Sequence, residues 1–271
     1  MITIKIGGSV VDEIHPTAIP DIRSAAESEG VIIVHGGGKA VTGVCEQMGK
    51  RPRFVTSPGG IKSRYTDRET AEIFTMVMAG RINKEIVRRL QQNGINAVGL
   101  SGADAGLIRA ERKKRLIIMN EKGRRQAIDG GYTGKISYVN AEFIKSLLGQ
   151  GVTPVIAPVA IGTEYEMLNV DGDRAAANVA GATGCDKVLF ITNVDGLMLD
   201  GQLVTGMSRS EAGEAMPRIG PGMEKKVLAS TEAIDMGVST ALIASGRREN
   251  PVSRAISEEG CTVIRKGRRL Q

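Results

Sequence analysis

Seven short apolar runs, most of them rich in β-branched residues, recur along the chain. They are ITIKI (2–6), VIIV (31–34), LIIM (116–119), PVIAPV (154–159), KVLFIT (187–192), STALIA (239–244) and CTVI (261–264). Several do not alternate apolar with polar positions, which predicts strands buried on both faces. Helical patterns lie between many of them. In residues 67–91, Ile73 and Val77 are four apart, and so are Ile82, Ile86 and Leu90. These form one apolar stripe on a helix, interrupted at Gly80. Residues 141–149, 172–183 and 223–236 predict further helices. Strand–helix alternation predicts an α/β fold with a mainly parallel sheet.

Residues 107–138 break that rhythm. Short polar-flanked runs, interrupted at Lys122-Gly123, Asp129-Gly130-Gly131 and Gly134, predict antiparallel hairpins projecting from the sheet. A lobe boundary is expected near residue 170, before a helix starting around Gly172. It divides the chain into lobes 1–170 and 171–271.

Composition narrows the classes. The chain has 271 residues, 41% hydrophobic and 24% charged, which excludes wholesale disorder. No apolar run approaches the roughly 18 residues of a membrane span, and the N-terminus does not read as a secretory signal. The 3 cysteines are widely spaced, which excludes a disulfide framework and a Cys-x-x-Cys metal site. A reduced, cytoplasmic setting is expected. Aromatics make up 3% and Trp is absent, which argues against stacking platforms for single-stranded nucleic acid. The formal net charge of +6 is local in origin. Residues 109–125 hold eight basic and two acidic side chains, and 265–271 add four basic side chains. The rest of the chain is net acidic.

Three glycine turns follow predicted strands: KIGGS (5–9), HGGGKA (35–40) and TNVDG (192–196). Such junctions let backbone N–H groups approach an anion, aided by the positive end of a helix. One such loop is as readily a plain turn. Two near the N-terminus point to a phosphate or carboxylate site. The P-loop and dinucleotide fingerprints are both absent. Lys5 ends a strand beside Gly7-Gly8, and GPGMEKK (220–226) brings lysines 225 and 226 into a helix start. Each could be surface charge; together they suggest cations flanking a transferring phosphoryl group. Asp173 is either an ordinary N-terminal helix residue or a group that orients lysines. Arg64 is either a surface residue or a clamp for a carboxylate. Of the two histidines, His15 lies in a predicted loop, and His35 is read as a structural hydrogen-bonding residue. No hydrolase elbow or zinc motif occurs.

In this order, KIGGS, VHGGGK, RYTD, LNVDGD, LFITNVDGL and GPGMEKK resemble the amino-acid kinase family, in its acetylglutamate-kinase branch. The resemblance spans nearly the whole chain. Within that branch, SPGGIKSRYTD (57–67), LSGADAGLIRAERKK (100–114) and GGYTGKI (130–136) are most similar to the kinases of carrier-protein-dependent lysine and arginine biosynthesis. Those kinases phosphorylate the side-chain carboxylate of α-aminoadipate or glutamate. The amino group of that substrate is tethered to a small acidic carrier protein of the LysW type.

The resemblance implies a three-layer αβα sandwich, with ATP and Mg²⁺ as cofactors and the metal bound through ATP. It implies that Lys5 and Lys226 stabilise the transition state and that Asp173 positions them; the family's glycine-Met-x-x-Lys spacing selects Lys226 over Lys225. Gly7, Gly8 and Ser9 would bind ATP phosphates, with Thr192, Asn193, Asp195, Gly196 and Met223 completing the nucleotide site on the C-terminal lobe. Gly37 and Gly38 would hold the acceptor carboxylate, and Arg64 and Asn169 the rest of the amino acid. Arg112, Lys113, Lys114, Arg115, Tyr132 and Lys135 would dock the carrier. A homodimer formed through the helix at 67–91 is also implied. The arginine-inhibited relatives carry an extra N-terminal helix, so no such inhibition is expected here.

The rival readings are a free N-acetyl-L-glutamate kinase, a non-catalytic nucleotide or effector sensor, and a nucleic-acid-binding protein. A free acetylated substrate leaves the basic hairpin without a role. A sensor leaves Lys5, Asp173 and Lys226 without one, and a nucleic-acid binder leaves the glycine loops without one.

Overall fold

The computed structural model describes residues 1–8 and 13–267. Its centre is an eight-stranded sheet. Numbered in chain order within that sheet, the strands are β1 (Ile2–Ile6), β2 (Val31–His35), β3 (Ala97–Ser101), β4 (Thr153–Ala157), β5 (Lys187–Thr192), β6 (Gly206–Ser208), β7 (Thr240–Ser245) and β8 (Thr262–Arg265). Their spatial order is β6-β8-β7-β5-β1-β2-β4-β3. All neighbours are parallel except β7 and β8.

The helices are α1 (Ala18–Glu29), α2 (Gly38–Gln47), α3 (Arg68–Thr75), α4 (Asn83–Gln92), α5 (Ala141–Gly149), α6 (Gly172–Thr183), α7 (Arg209–Ala215), α8 (Met223–Asp235) and α9 (Pro251–Ile256). A π-helical segment, Met76–Ile82, joins α3 to α4. The helices cover both faces of the sheet. Ile2, Ile4, Ile6, Val31, Ile33, Leu189 and Ile191 enter one core with α1 and the α3–α4 rod. Ile32, Val34, Val188 and Phe190 enter the other, with α6 and α8. Burial on two faces is why these runs lack alternation.

The pleat also assigns the polar positions in the strands. Thr3 and Lys5 fall between the isoleucines of β1 and so face the α6 side. His35 shares parity with Val31 and Ile33 and faces the α4 side.

The helices predicted at 141–149, 172–183 and 223–236 match α5, α6 and α8 to within a residue. The predicted 67–91 helix is real but changes type in its middle, around the glycine that marked the interruption. LIIM (116–119) is the exception among the predicted strands. Arg115–Met119 pairs with Arg125–Asp129 in a separate two-stranded hairpin, where Ile118 alone is buried. That hairpin and the neighbouring four-stranded sheet (Met167–Asn169, Val159–Ile161, Ile108–Arg112, Gly134–Val139) form the projecting region. Edge strands β3 and β6 were not foreseen. Gly99 splits the apolar run of the first, and the second is only 3 residues long.

From β1 the chain passes to β2 on one side and later returns with β5 on the other. The carboxyl end of β1 is therefore a topological switch point, where open α/β sheets bind ligands. Gly7 and Gly8 stand there. No helix among the described residues is long and apolar enough to cross a membrane.

Candidate active site

Asp171 is the N-cap of α6 and accepts hydrogen bonds from the backbone N–H groups of Asp173 and Arg174. This cap fixes the first turn of the helix and turns Asp173 towards β1. Lys5 Nζ lies 2.7 Å from Asp173 Oδ1. Lys226 Nζ, from the first turns of α8, lies 3.2 Å from Oδ2. One carboxylate thus holds both lysines, one oxygen each. Asp173 and Lys5 are 5% and 6% exposed, so water does little to screen the cluster. Burial favours the neutral acid, but the two ammonium groups outweigh it and hold the Asp173 carboxyl below its ordinary value. Burial, with Lys5 beside it, lowers the Lys226 pKa against the opposing pull of Asp173. Lys225 instead lies 3.8 Å from Asp171 Oδ2, so geometry separates the two adjacent lysines.

The two glycine turns meet beside this cluster. A Cβ on Gly8 would fall 2.3 Å from the backbone nitrogen of Gly37, and one on Gly36 would fall 2.9 Å from that of Gly8. Only glycines allow the two loops so close. Gly36 N–H donates to the Ile6 carbonyl at 2.9 Å, and Gly7 N–H to the Ile191 carbonyl at 3.2 Å.

His35 is fully buried beneath the second loop. Burial pushes its pKa down to about 4, with the Gly36 carbonyl opposing and Lys5 and Lys84 contributing. The ring is therefore neutral at pH 7. An unfolded chain protonates it near 6.5, so native stability falls as pH drops from about 6.5 towards 4. Urea unfolding across that window is expected to show a steeper acid decline for the native chain than for His35→Asn.

Arg64 ends the short strand Lys62–Arg64 and packs over the Phe54 ring at 4.9 Å. Its Nη2 donates to the Gly38 carbonyl at 2.8 Å and to Thr42 Oγ1 at 2.7 Å. Its Nη1 is shielded from solvent and has no hydrogen-bond partner. A guanidinium with a free, desolvated edge is a receptor for a carboxylate. Asn169 Nδ2 donates to Thr66 Oγ1 at 2.9 Å. The 130–134 segment is stitched between these groups: Tyr132 N–H reaches the Thr66 carbonyl at 2.6 Å, and Asn169 N–H reaches the Tyr132 carbonyl at 2.9 Å.

The hairpin residues divide by role. Arg112 stacks on Tyr132 at 4.4 Å and donates to the Gly131 carbonyl at 2.7 Å, so this pair holds the turn in shape. Lys113 is half-buried and faces Asp171 and Arg174; burial and Arg174 lower its pKa. Lys114, Arg115 and Lys135 are exposed. Among the described residues, no carboxylate makes an ion pair with any of the basic side chains of 109–135.

Of the residues expected at the nucleotide, Thr192, Asn193, Asp195 and Gly196 lie at or just beyond the carboxyl end of β5. Thr192 is buried and its carbonyl accepts from Gly246 N–H at 2.8 Å, while Asn193 is exposed. Asp195 makes a two-point ion pair with Arg248, at 2.9 and 2.6 Å. Gly196 is packed against Thr262 Oγ1, 2.5 Å from where a Cβ would stand, which gives that glycine a structural reason. Met223 opens α8 behind Gly222, whose φ is 90°. Ser9 lies outside the described residues, as does the end of the basic tail, 268–271. A cavity of about 320 Å³ opens between Leu199, Met207, Ala215 and Arg218, and none of its lining belongs to the lysine cluster.

The sequence profile of the Amino acid kinase family matches residues 1–245. The chain belongs to the amino acid kinase family. Its use of ATP follows from that membership. Over 264 residues it is 73% identical to a chain of Nitrosopumilus maritimus provisionally named a LysW-aminoadipate/LysW-glutamate kinase, covering 97% of this chain and 99% of that one. It is 42% identical to the LysW-aminoadipate/LysW-glutamate kinase of Metallosphaera sedula, covering 97% and 100%. The N-acetylglutamate synthase of Neisseria gonorrhoeae superposes with a TM-score of 0.80 at 19% identity, over 98% of this chain and 59% of that one. That likeness is one of fold alone.

Sequence reading missed Asp171, Thr66 and Asn83. The first had a visible signal, an Asp two residues before a first-turn Asp. The other two act through contacts far away in sequence and had none.

Proposed function

We propose that this amino acid kinase transfers the γ-phosphoryl group of ATP to the side-chain carboxylate of α-aminoadipate or glutamate carried on an acidic LysW-type protein. The single observation that carries this reading is the buried Lys5–Asp173–Lys226 cluster beside two interlocked glycine loops. It is machinery for neutralising and aligning anions, with no general base. None is needed, because a carboxylate nucleophile with a pKa of about 4.3 is already ionised at pH 7.

In this reading the Gly37 and Gly38 N–H groups and the free Arg64 edge hold the acceptor, while Gly7 and Gly8 hold the phosphates. A carboxylate oxygen forms the new bond to phosphorus, the bond to the β–γ bridging oxygen breaks, and its electron pair leaves with ADP. No proton moves. Lys5 and Lys226 offset the charge gathering on the equatorial and bridging oxygens. Asp173 is committed to both lysines, so Mg²⁺ would enter on the ATP phosphates and supply further neutralisation there.

The unpaired basic hairpin supports docking of an acidic carrier, whose approach it would steer. Reversing Lys113 and Lys114 to Glu is expected to raise KM for the carrier-linked acceptor and leave KM for ATP unchanged. Added salt should move the native enzyme the same way. An unchanged acceptor KM would remove the docking role. The enzyme is further proposed to work as a cytoplasmic homodimer through the α3–α4 rod, where Met76 is 55% exposed. Sedimentation of Met76→Glu against the native chain tests that.

Acyl-phosphate formation trapped with hydroxylamine tests the main reading. The acceptors are carrier-linked glutamate, carrier-linked aminoadipate and free N-acetylglutamate. Product with both linked acceptors is expected. One methylene is worth only ~1–3 kcal/mol of discrimination in an apolar pocket. Product with free N-acetylglutamate alone would leave the kinase chemistry standing and overturn the carrier.

A further inference from the structure

The buried end of β2 carries a titratable side chain that phosphoryl transfer does not use. His35 Nδ1 lies 3.1 Å from the Gly36 carbonyl oxygen, and Nε2 lies 3.2 Å from Asn83 Nδ2. A carbonyl only accepts, so Nδ1 bears the one proton of the neutral ring and Nε2 accepts from Asn83. Asn83 is itself fixed. Its Nδ2 also donates to the Val155 carbonyl at 2.9 Å, and its Oδ1 accepts from Lys84 Nζ at 3.1 Å. A Cβ on Gly99 would come within 2.0 Å of Asn83 Oδ1, so that glycine is what admits the amide.

The same loop is pressed from behind by the π segment. A Cβ on Gly37 would fall 2.2 Å from Ile82 Cδ1 and 2.5 Å from Met78 Sδ. At 3.6 residues per turn, one residue added to a helical turn rotates everything beyond it by roughly 100°. Ile82 closes this wider segment and Asn83 opens α4, and both face the glycine loop.

The Gly36 carbonyl and the Gly37 N–H belong to one planar peptide unit and point in opposite directions. Glycines on both sides of that unit would otherwise let it turn freely. We propose that His35, oriented by Asn83, is a positioning residue: by holding the Gly36 carbonyl it aims the Gly37 N–H at the acceptor carboxylate. This rests on the reading above that Gly37 and Gly38 hold the acceptor.

Two substitutions separate the halves of the ring. Asn at position 35 can place a donor near the Nδ1 position, while Gln reaches only the Nε2 position. His35→Gln is expected to raise KM for the carrier-linked acceptor about tenfold, the net value of roughly one hydrogen bond, with KM for ATP unchanged. His35→Asn should recover most of that loss. Asn83→Ala, which frees the ring, should move the acceptor KM in the direction of His35→Gln. A merely structural histidine would lower the melting temperature and the active fraction in both variants and leave the KM values of the folded enzyme alone; that result overturns the proposal. A change in KM for ATP alone would instead overturn the placement of the acceptor at Gly37 and Gly38.

Discussion

Lys226→Ala is expected to lower kcat by about 10²–10³-fold, the effect of removing one preorganised donor worth about 2.7–4 kcal/mol in the transition state. Lys226 Nζ sits 3.2 Å from Asp173 and its side chain is 13% exposed, so water replaces it poorly. Lys5→Ala should lose a comparable factor. Because both ammonium groups answer to one carboxylate, the double variant is expected to lose less than the product of the two. The measurement is kcat at saturating ATP and carrier-linked acceptor. Native kcat in both single variants would remove the lysines from the mechanism.

Asp173→Asn is expected to lower the unfolding free energy by about 3–5 kcal/mol, because it leaves two shielded ammonium groups without their counter-charge. Lys5 has an 8% exposed side chain and can escape to water only by disturbing β1. Urea or guanidinium unfolding at pH 7 reads this directly, and a loss below about 1 kcal/mol, the value of a surface pair, would mean that other groups balance the lysines. The pH dependence has a definite sign. The Asp173 carboxyl is held below its unfolded value of 3.8, so its contribution is complete above that value and disappears as pH falls through the lower folded one. The gap between native chain and variant should therefore close in acid and persist at neutrality. Activity should fall with stability, since the lysines lose the group that spaces them.

Much of the fold was legible because its signals are local. Non-alternating runs such as KVLFIT and VIIV announce strands covered on both faces, and Gly172–Thr183 begins and ends where its capping residues say. The glycine turns were legible for a similar reason: a loop that must bring its backbone against another loop or an anion has few residues to choose from. Lys5, Asp173 and Lys226 were individually ambiguous, each with an ordinary surface or capping alternative; their motifs together suggested a phosphoryl site, and the family resemblance chose Lys226 over Lys225 and gave each residue its role.

What tertiary structure alone decided is long-range. The pleat of β1 turns Lys5 to the α6 side, where Asp173 waits, and α8 delivers Lys226 from near the other end of the chain. Strand β3 hid behind Gly99, which weakens an apolar run yet is the one residue type that leaves room for Asn83 Oδ1. The π segment could not be read from a period of 3.6, because a single wider turn leaves the spacing of apolar residues on either side nearly intact. The chain thus states by itself most of its central strands, several of its helices and its close-approach turns, since those follow from neighbouring residues. Which charges share a carboxylate, which cation keeps a free edge and which histidine holds a peptide plane are set by packing between segments distant in sequence.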